Sequence, residues 1–293
     1  MGFSLSTLSS FTLQNSDILI QKAILGADLM QYVDVRPGFP EATVQINVLS
    51  ATAGFGAQAC GWTSTGSTNF TAISVTNSTY AWKQSLCLAD LRQYYLSTYL
   101  DSSAFGERLP FEQAIADVAV QETRKYAEQI LGTAMISQIT TGNGAAAGPT
   151  GAWTSSNAYD KAQQTVDALP LAVQSREDLM MFMSYASFRA LQVDILNQNL
   201  YHYNTGQTTG SGLGQSIILP GTNVRVVPVG GLVSSPKVFC GPAKHIIVTT
   251  GLVDDQDRVE AWFSRDNQEF RMLSQFTIGL GALAEEFVYT SGA

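Results

Sequence analysis

The sequence predicts a mixed α+β chain built around one long helix, and three observations predict it. From Ala42 to Trp82 there is no charged side chain, and within that run Thr43–Leu49 and Phe70–Tyr80 are rich in β-branched and aromatic residues. From Pro110 to Ser137 apolar residues recur at helical spacing. From Val259 onward apolar and polar residues alternate, as they do along a strand with one buried face.

The uncharged run is too polar to cross a membrane, which takes about 20 mostly apolar residues. Gln45, Asn47, Gln58, Asn69 and Asn77 interrupt it, and glycines cluster at Gly54, Gly56, Gly61 and Gly66. A free surface is normally dotted with Lys, Glu, Asp and Arg. A segment neither greasy nor charged suits the core of a contact with another chain, where charge is depleted and aromatics are enriched. Phe55, Trp62, Phe70, Tyr80 and Trp82 supply those aromatics. Residues 129–159 are also uncharged, and 195–224 contain only His202. Charged residues make up 14% of the 293, against about 25% in an average soluble domain. Mean hydropathy is only +0.06, so Ser, Thr, Asn, Gln and Gly replace the charge. Such a chain is expected to live as an oligomer.

Taken in order, Ser16–Val33 reads as an amphipathic helix that Pro37 and Pro40 end. Val44, Ile46 and Val48 alternate with Gln45 and Asn47, which makes 43–49 a strand. Residues 70–80 are its partner in a long hairpin or β-loop. A helix is expected over 86–100. Pro110 opens the long helix at the position where proline is tolerated. Its apolar face holds Phe111, Ala114, Ile115, Val118, Ala119, Tyr126 and Ile130, and Arg124–Glu128 form an i,i+4 pair. Gly142–Gly151 reads as a flexible linker and the best internal boundary. Helices follow over 156–169 and 176–197. Ile217–Leu219, Val224–Val229 and His245–Thr250 read as buried strands. Three more are expected over 259–263, 269–278 and 280–289, with a turn at Asp266-Asn267.

Little points to chemistry. Neither His202 nor His245 has a second histidine at i+4, so zinc spacing is missing. There is no GxSxG elbow. Gly210, Gly212 and Gly214 lack the third glycine of a dinucleotide fingerprint, and Gly142–Gly151 lacks the Gly-Lys-Ser/Thr of a P-loop. Asp254, Asp255 and Asp257 read as a solvated turn, lacking the glycine and terminal glutamate of a calcium loop. Glu285-Glu286 reads equally as a solvated edge or as one side of a salt bridge between subunits. Cys60, Cys87 and Cys240 are odd in number and far apart, which fits reduced thiols. A net charge of -8 argues against wrapping nucleic acid directly. No signal peptide is evident, and Gly2 with Ser6 is a weak match to a myristoylation pattern. No enzyme, cofactor or metal site is expected.

The ordered set of parts resembles the major capsid proteins of tailed bacteriophages, with the HK97-type fold. The resemblance rests on the helix run Leu109-Pro-Phe-Glu-Gln-Ala-Ile-Ala-Asp117 and on Trp262-Phe-Ser-Arg-Asp-Asn-Gln-Glu-Phe-Arg271. Thr277-Ile-Gly-Leu-Gly281, leading into Glu285-Glu-Phe-Val-Tyr289, adds to it. It covers essentially the whole chain and is one of architecture, since the family has no short invariant motif. It implies an N-terminal arm (1–40), an extended loop (41–83), a peripheral domain with a spine helix (84–142), an axial domain (143–255) and returning peripheral strands (256–293). It further implies pentamers and hexamers in an icosahedral virion shell enclosing double-stranded DNA. Portal and scaffolding proteins, and decoration proteins, are the implied partners. Phe55, Trp62, Phe70, Trp82, Lys83, Glu285 and Glu286 are the expected contacts between subunits.

Two departures shape the expectation. The extended loop has no lysine before Lys83 at its base, so no lysine–asparagine crosslink from the loop is expected. No long scaffolding extension precedes the arm, which implies a separate scaffold or none. The competing readings are an encapsulin-like shell around cargo enzymes and, from a different class, a secreted β-rich adhesin.

Overall fold

A computed structural model of the chain describes residues 28–38, 43–52, 67–87, 111–198, 200, 216–232, 236–251, 258–264, 266–267 and 269–291. The helix expected over 16–33 is described only at its end, where Asp28–Gln31 form a 3-10 turn with Leu29 and Met30 buried. His202, the glycines at 210–214 and the acidic cluster at 254–257 lie outside the described residues.

The long helix, α1, spans Phe111–Gln138, 28 residues and about 42 Å at 1.5 Å per residue. Ala127, Leu131 and Met135, spaced by four, are buried, and Ile139 extends the stripe past the last turn. Arg124 Nε donates to Glu128 Oε1 at 3.2 Å. The open carbonyls at the C-terminus find a partner in Asn143, whose Nδ2 donates to Ser137 O and Gln138 O. Residues 230–232 pack on α1 backbone to backbone: a Cβ on Gly132 would strike the Gly231 carbonyl, and one on Gly231 would strike Glu128 O.

Strand β1 (Asp34–Pro37) runs parallel to β10 (Ile246–Thr250), which pairs antiparallel with β12 (Glu269–Ala282). β12 also pairs with β11 (Arg258–Ser264) and β4 (Ser78–Cys87), completing a five-stranded sheet. β12 continues through Gly279, where the sequence predicts two strands. Leu86 and Cys87, expected in a helix, close β4, because pairing with Phe270 and Glu269 holds them extended. The rest of that expected helix lies outside the described residues.

β2 (Thr43–Thr52) and β3 (Ser67–Thr76) form a two-stranded sheet of their own, in register from Thr43↔Thr76 to Thr52↔Ser67. The expected second strand of the hairpin thus breaks at Asn77, where the chain leaves the hairpin and enters β4.

A six-stranded sheet forms the other layer, in the order β5 (Ala146–Ala147), β13 (Val288–Thr290), β9 (Val238–Pro242), β6 (Leu179–Met183), β8 (Arg225–Pro228) and β7 (Ile217–Ile218). Helices α2 (Ala158–Asp167), α3 (Leu171–Gln174) and α4 (Tyr185–Asn197) accompany it. The helix expected over 176–197 is instead a strand followed by a helix. β6 reads Leu-Met-Met-Phe-Met, good helix formers with no polar alternation, and it lies inside the sheet with both faces covered. Phe182 enters the core around α1, Phe276 and Phe287. Met181 and Met183 enter a second core with Phe188, Leu191 and Val226. Ser184, rather than Ser175, caps α4, its Oγ accepting from Ser187 N. Buried Asp194 on α4 accepts from Tyr159 N, at the first turn of α2, at 2.8 Å.

The segment expected to be a flexible linker is tied down. Ala146, Gly148 and Gly151 donate their backbone N–H groups to Phe287, Tyr289 and Ser291. Lys161 Nζ donates to Thr150 O and Ala152 O, both at 2.9 Å. Cys240 is buried inside β9, and burial pushes its thiol up to about 12. Cys87 is exposed.

Candidate functional site

The uncharged hairpin reaches the five-stranded sheet through a root that the sequence marks with two glycines. Gly279 and Gly281 lie two apart on β12, hence on one face. A Cβ on Gly281 would strike Val75 and Ile73, and one on Gly279 would strike Asn77 Oδ1 and Thr76 O. The bare strand therefore lets Ile73 and Val75 sink against Ile247. Asn77, buried at the switch between sheets, accepts from Thr249 Oγ1. Thr79 and Thr277 hydroxyls meet at 3.0 Å in the next cross-strand pair. Neutral hydrogen bonds and apolar burial hold this root.

Beside the root, between α1 and β12, runs a groove of about 520 Å³. Thr76 and Tyr80 line it from the hairpin side, Gln129 to Gln138 from α1, and Ile278 to Leu280 from β12. None of its described lining residues is charged. Tyr80, Tyr126 and Phe276 pack ring to ring at 6.0–6.5 Å along it. The uncharged runs 42–82 and 129–159, separate in sequence, thus meet at one place.

A second constellation is wholly charged or titratable. Arg176 donates from Nε to Asp178 Oδ1 at 2.8 Å and from a terminal nitrogen to Oδ2 at 2.9 Å. A guanidinium only donates, so its 3.2 Å contact with His245 Nε2 makes that nitrogen the acceptor. His245 Nδ1–H then donates to Glu286 Oε2 at 2.5 Å. The hydrogen bond from Arg176 holds the Asp178 carboxyl below the usual carboxylate range, and the same bond raises the guanidinium. The chain of contacts ties the turn before β6 to the start of β10 and to the 3-10 turn Ala284–Glu286. Nothing in the sequence pairs these residues, which lie 41 and 69 positions apart.

The expected contact residues are scattered. Trp82 is half-buried on β4 opposite Ser274, and Lys83 is exposed opposite Leu273. Glu285 is exposed, while Glu286 is half-buried on His245 of its own chain. Phe70 lies in β3 opposite Leu49. Phe55 and Trp62 lie outside the described residues. Asn77, Gly279, Gly281 and the Arg176–His245 pair are the structural features that sequence reasoning missed. Only the alternate glycines of Thr277-Ile-Gly-Leu-Gly281 carried a signal, since glycine inside a strand marks a close backbone approach. Among the described residues no three metal-binding side chains cluster, and no helix is long and apolar enough to cross a membrane.

No known protein family matches the sequence, and no curated protein does. Solved structures do match. The capsid of Myoviridae phage XM1 superposes with a TM-score of 0.55 at 14% identity, over 90% of this chain and 91% of that one. A virus-like particle from Pyrococcus furiosus gives 0.54 at 12% identity, over 96% and 99%. The satellite phage P4 procapsid, a structure that includes the size determination protein, gives 0.53 at 9% identity, over 99% and 91%. At such identities the likeness is one of fold. The chain has the α+β fold of these shell-forming subunits, the HK97-type capsid fold.

Proposed function

We propose that the chain is the major capsid protein of a tailed bacteriophage. It self-assembles into pentamers and hexamers of an icosahedral head around double-stranded DNA. One observation supports this most directly: in a chain with a capsid fold, an uncharged hairpin is rooted beside an uncharged groove. An isolated hairpin is marginal in water, and a surface without charge is suited to cover by protein. In this reading the tip of the hairpin, with Phe55, Trp62 and Phe70, clasps a neighbouring subunit, and Trp82, Lys83, Glu285 and Glu286 lie at further contacts. The six-stranded layer with α2–α4 is the axial part of the subunit. The α1 core with the five-stranded sheet is the peripheral part. The net charge of -8 leaves enclosed DNA unbound by the subunit as a whole. Portal, scaffolding and decoration proteins complete the virion, and assembly takes place in the host cytoplasm.

The test is to express the full chain and view it by negative-stain microscopy and sedimentation. Shells, tubes or rings of five and six subunits are expected. Uniform monomers at all concentrations remove the reading. Nuclease digestion and mass spectrometry of the particles then distinguish a genome container from a compartment for cargo enzymes.

A further inference from the structure

Two helix faces in the six-stranded layer turn large apolar side chains away from their own core. On α4, Phe188, Leu191 and Ile195 are buried, while Arg189, Val193 and Leu196 face outward, Leu196 at 57% exposure. With Ala186 they form a stripe at spacings of three, four and three, about 15 Å long. On α2, Ala158, Ala162 and Thr165 are buried. Asp160, Gln164 and Asp167 face outward, and the line continues to Leu171 on α3, exposed at 84%. The spacings there are four, three and four, so the two stripes match in length.

They are complementary in charge. Arg189 makes no hydrogen bond or ion pair among the described residues, and neither do the Asp160 and Asp167 carboxylates. One stripe is cationic with Val193 and Leu196, and the other is anionic and ends in Leu171. Pairing like with like would set guanidinium against guanidinium and carboxylate against carboxylate, a mismatch that costs several kcal/mol at a contact. The unlike pairing sets opposite charges and apolar ends together. The stripes also sit on different halves of the layer, since α2 packs by β13 and α4 by β8. One subunit can therefore offer each stripe to a different neighbour. A contact between two different faces propagates head to tail and closes into a ring when the rotation allows.

We propose that the Arg189–Val193–Leu196 face of α4 docks on the Asp160–Asp167–Leu171 face of a second copy of this chain, forming the repeating contact of a ring. The inference rests on the shell reading and names its contact within a capsomer. The experiment is crosslinking of the assembled full-length chain carrying Leu171→Cys together with Leu196→Cys. Mild oxidation should give a ladder of covalent oligomers ending at five or six, absent from each single variant. In parallel, Arg189→Glu should raise the concentration needed for assembly at least about tenfold, as expected when like charges face each other. Adding Asp160→Arg and Asp167→Arg to it should restore assembly, which a merely misfolded variant would not show. Wild-type shells with no ladder, and with Arg189→Glu assembling normally, overturn this contact and leave the shell reading standing. Wild-type monomers overturn both.

Discussion

The hairpin root and the Arg176–His245 junction both fasten distant segments, by opposite physics. The root joins the hairpin to β10 and β12 with no charged group: Ile73 and Val75 pack on Ile247, and Asn77 accepts from Thr249. The junction joins three segments through four titratable side chains, half-exposed to water. Apolar burial and neutral hydrogen bonds ignore salt, whereas exposed ion pairs are screened and titrate. A molecule built this way can place its environmental sensitivity at one joint and leave the other constant.

Breaking the root should cost most. Phe276→Ala removes a fully buried ring that touches Tyr80 and Tyr126, and a loss of about 3–5 kcal/mol in urea unfolding is expected. Gly281→Val should cost about 1–3 kcal/mol, because the new methyls occupy the space of Val75 and Ile73. If that variant melts like wild type, the hairpin is not seated on β12 through this glycine.

The junction should yield smaller effects that depend on conditions. Asp178→Asn is expected to cost about 0.5–1 kcal/mol at neutral pH, discounted for partial exposure of both partners. The folded Asp178 carboxyl sits below its ordinary value, held there by Arg176. Its contribution is therefore complete above the ordinary carboxylate range and fades as pH falls through the lower, folded value. The gap between wild type and Asp178→Asn in thermal melts should close in acid. A gap that widens on acidification reverses the assignment. The smallest effect is expected from salt: raising it to about 1 M should shrink the Asp178→Asn gap and leave the Gly281→Val gap unchanged.

Legibility followed the range over which each feature is determined. α1 was readable because its apolar stripe repeats within its own residues, and it ends at Gln138 where Ser137 was expected. β10 and β11 were readable from β-branched and alternating runs. β6 was not: a short run of Leu, Met and Phe is ambiguous until one knows that strands flank it on both sides. β9 escaped for a related reason, since Val-Phe-Cys-Gly-Pro has no period and is buried at every position. Asn77 looked like one more polar residue in a β-rich run, and its task at the switch between sheets depends on Thr249, far along the chain. The uncharged surface was legible as composition. Its gathering into one groove needed the fold.

Cys240 offers a clock. Its thiol lies inside β9, raised to about 12, so at neutral pH it is protonated and shielded from alkylating reagents. Cys87 on β4 is exposed and reacts at once. A short pulse of alkylating reagent followed by peptide mass analysis would therefore date two events separately. Label on Cys87 reports that the reagent arrived, and label on Cys240 counts only the molecules whose six-stranded layer had opened.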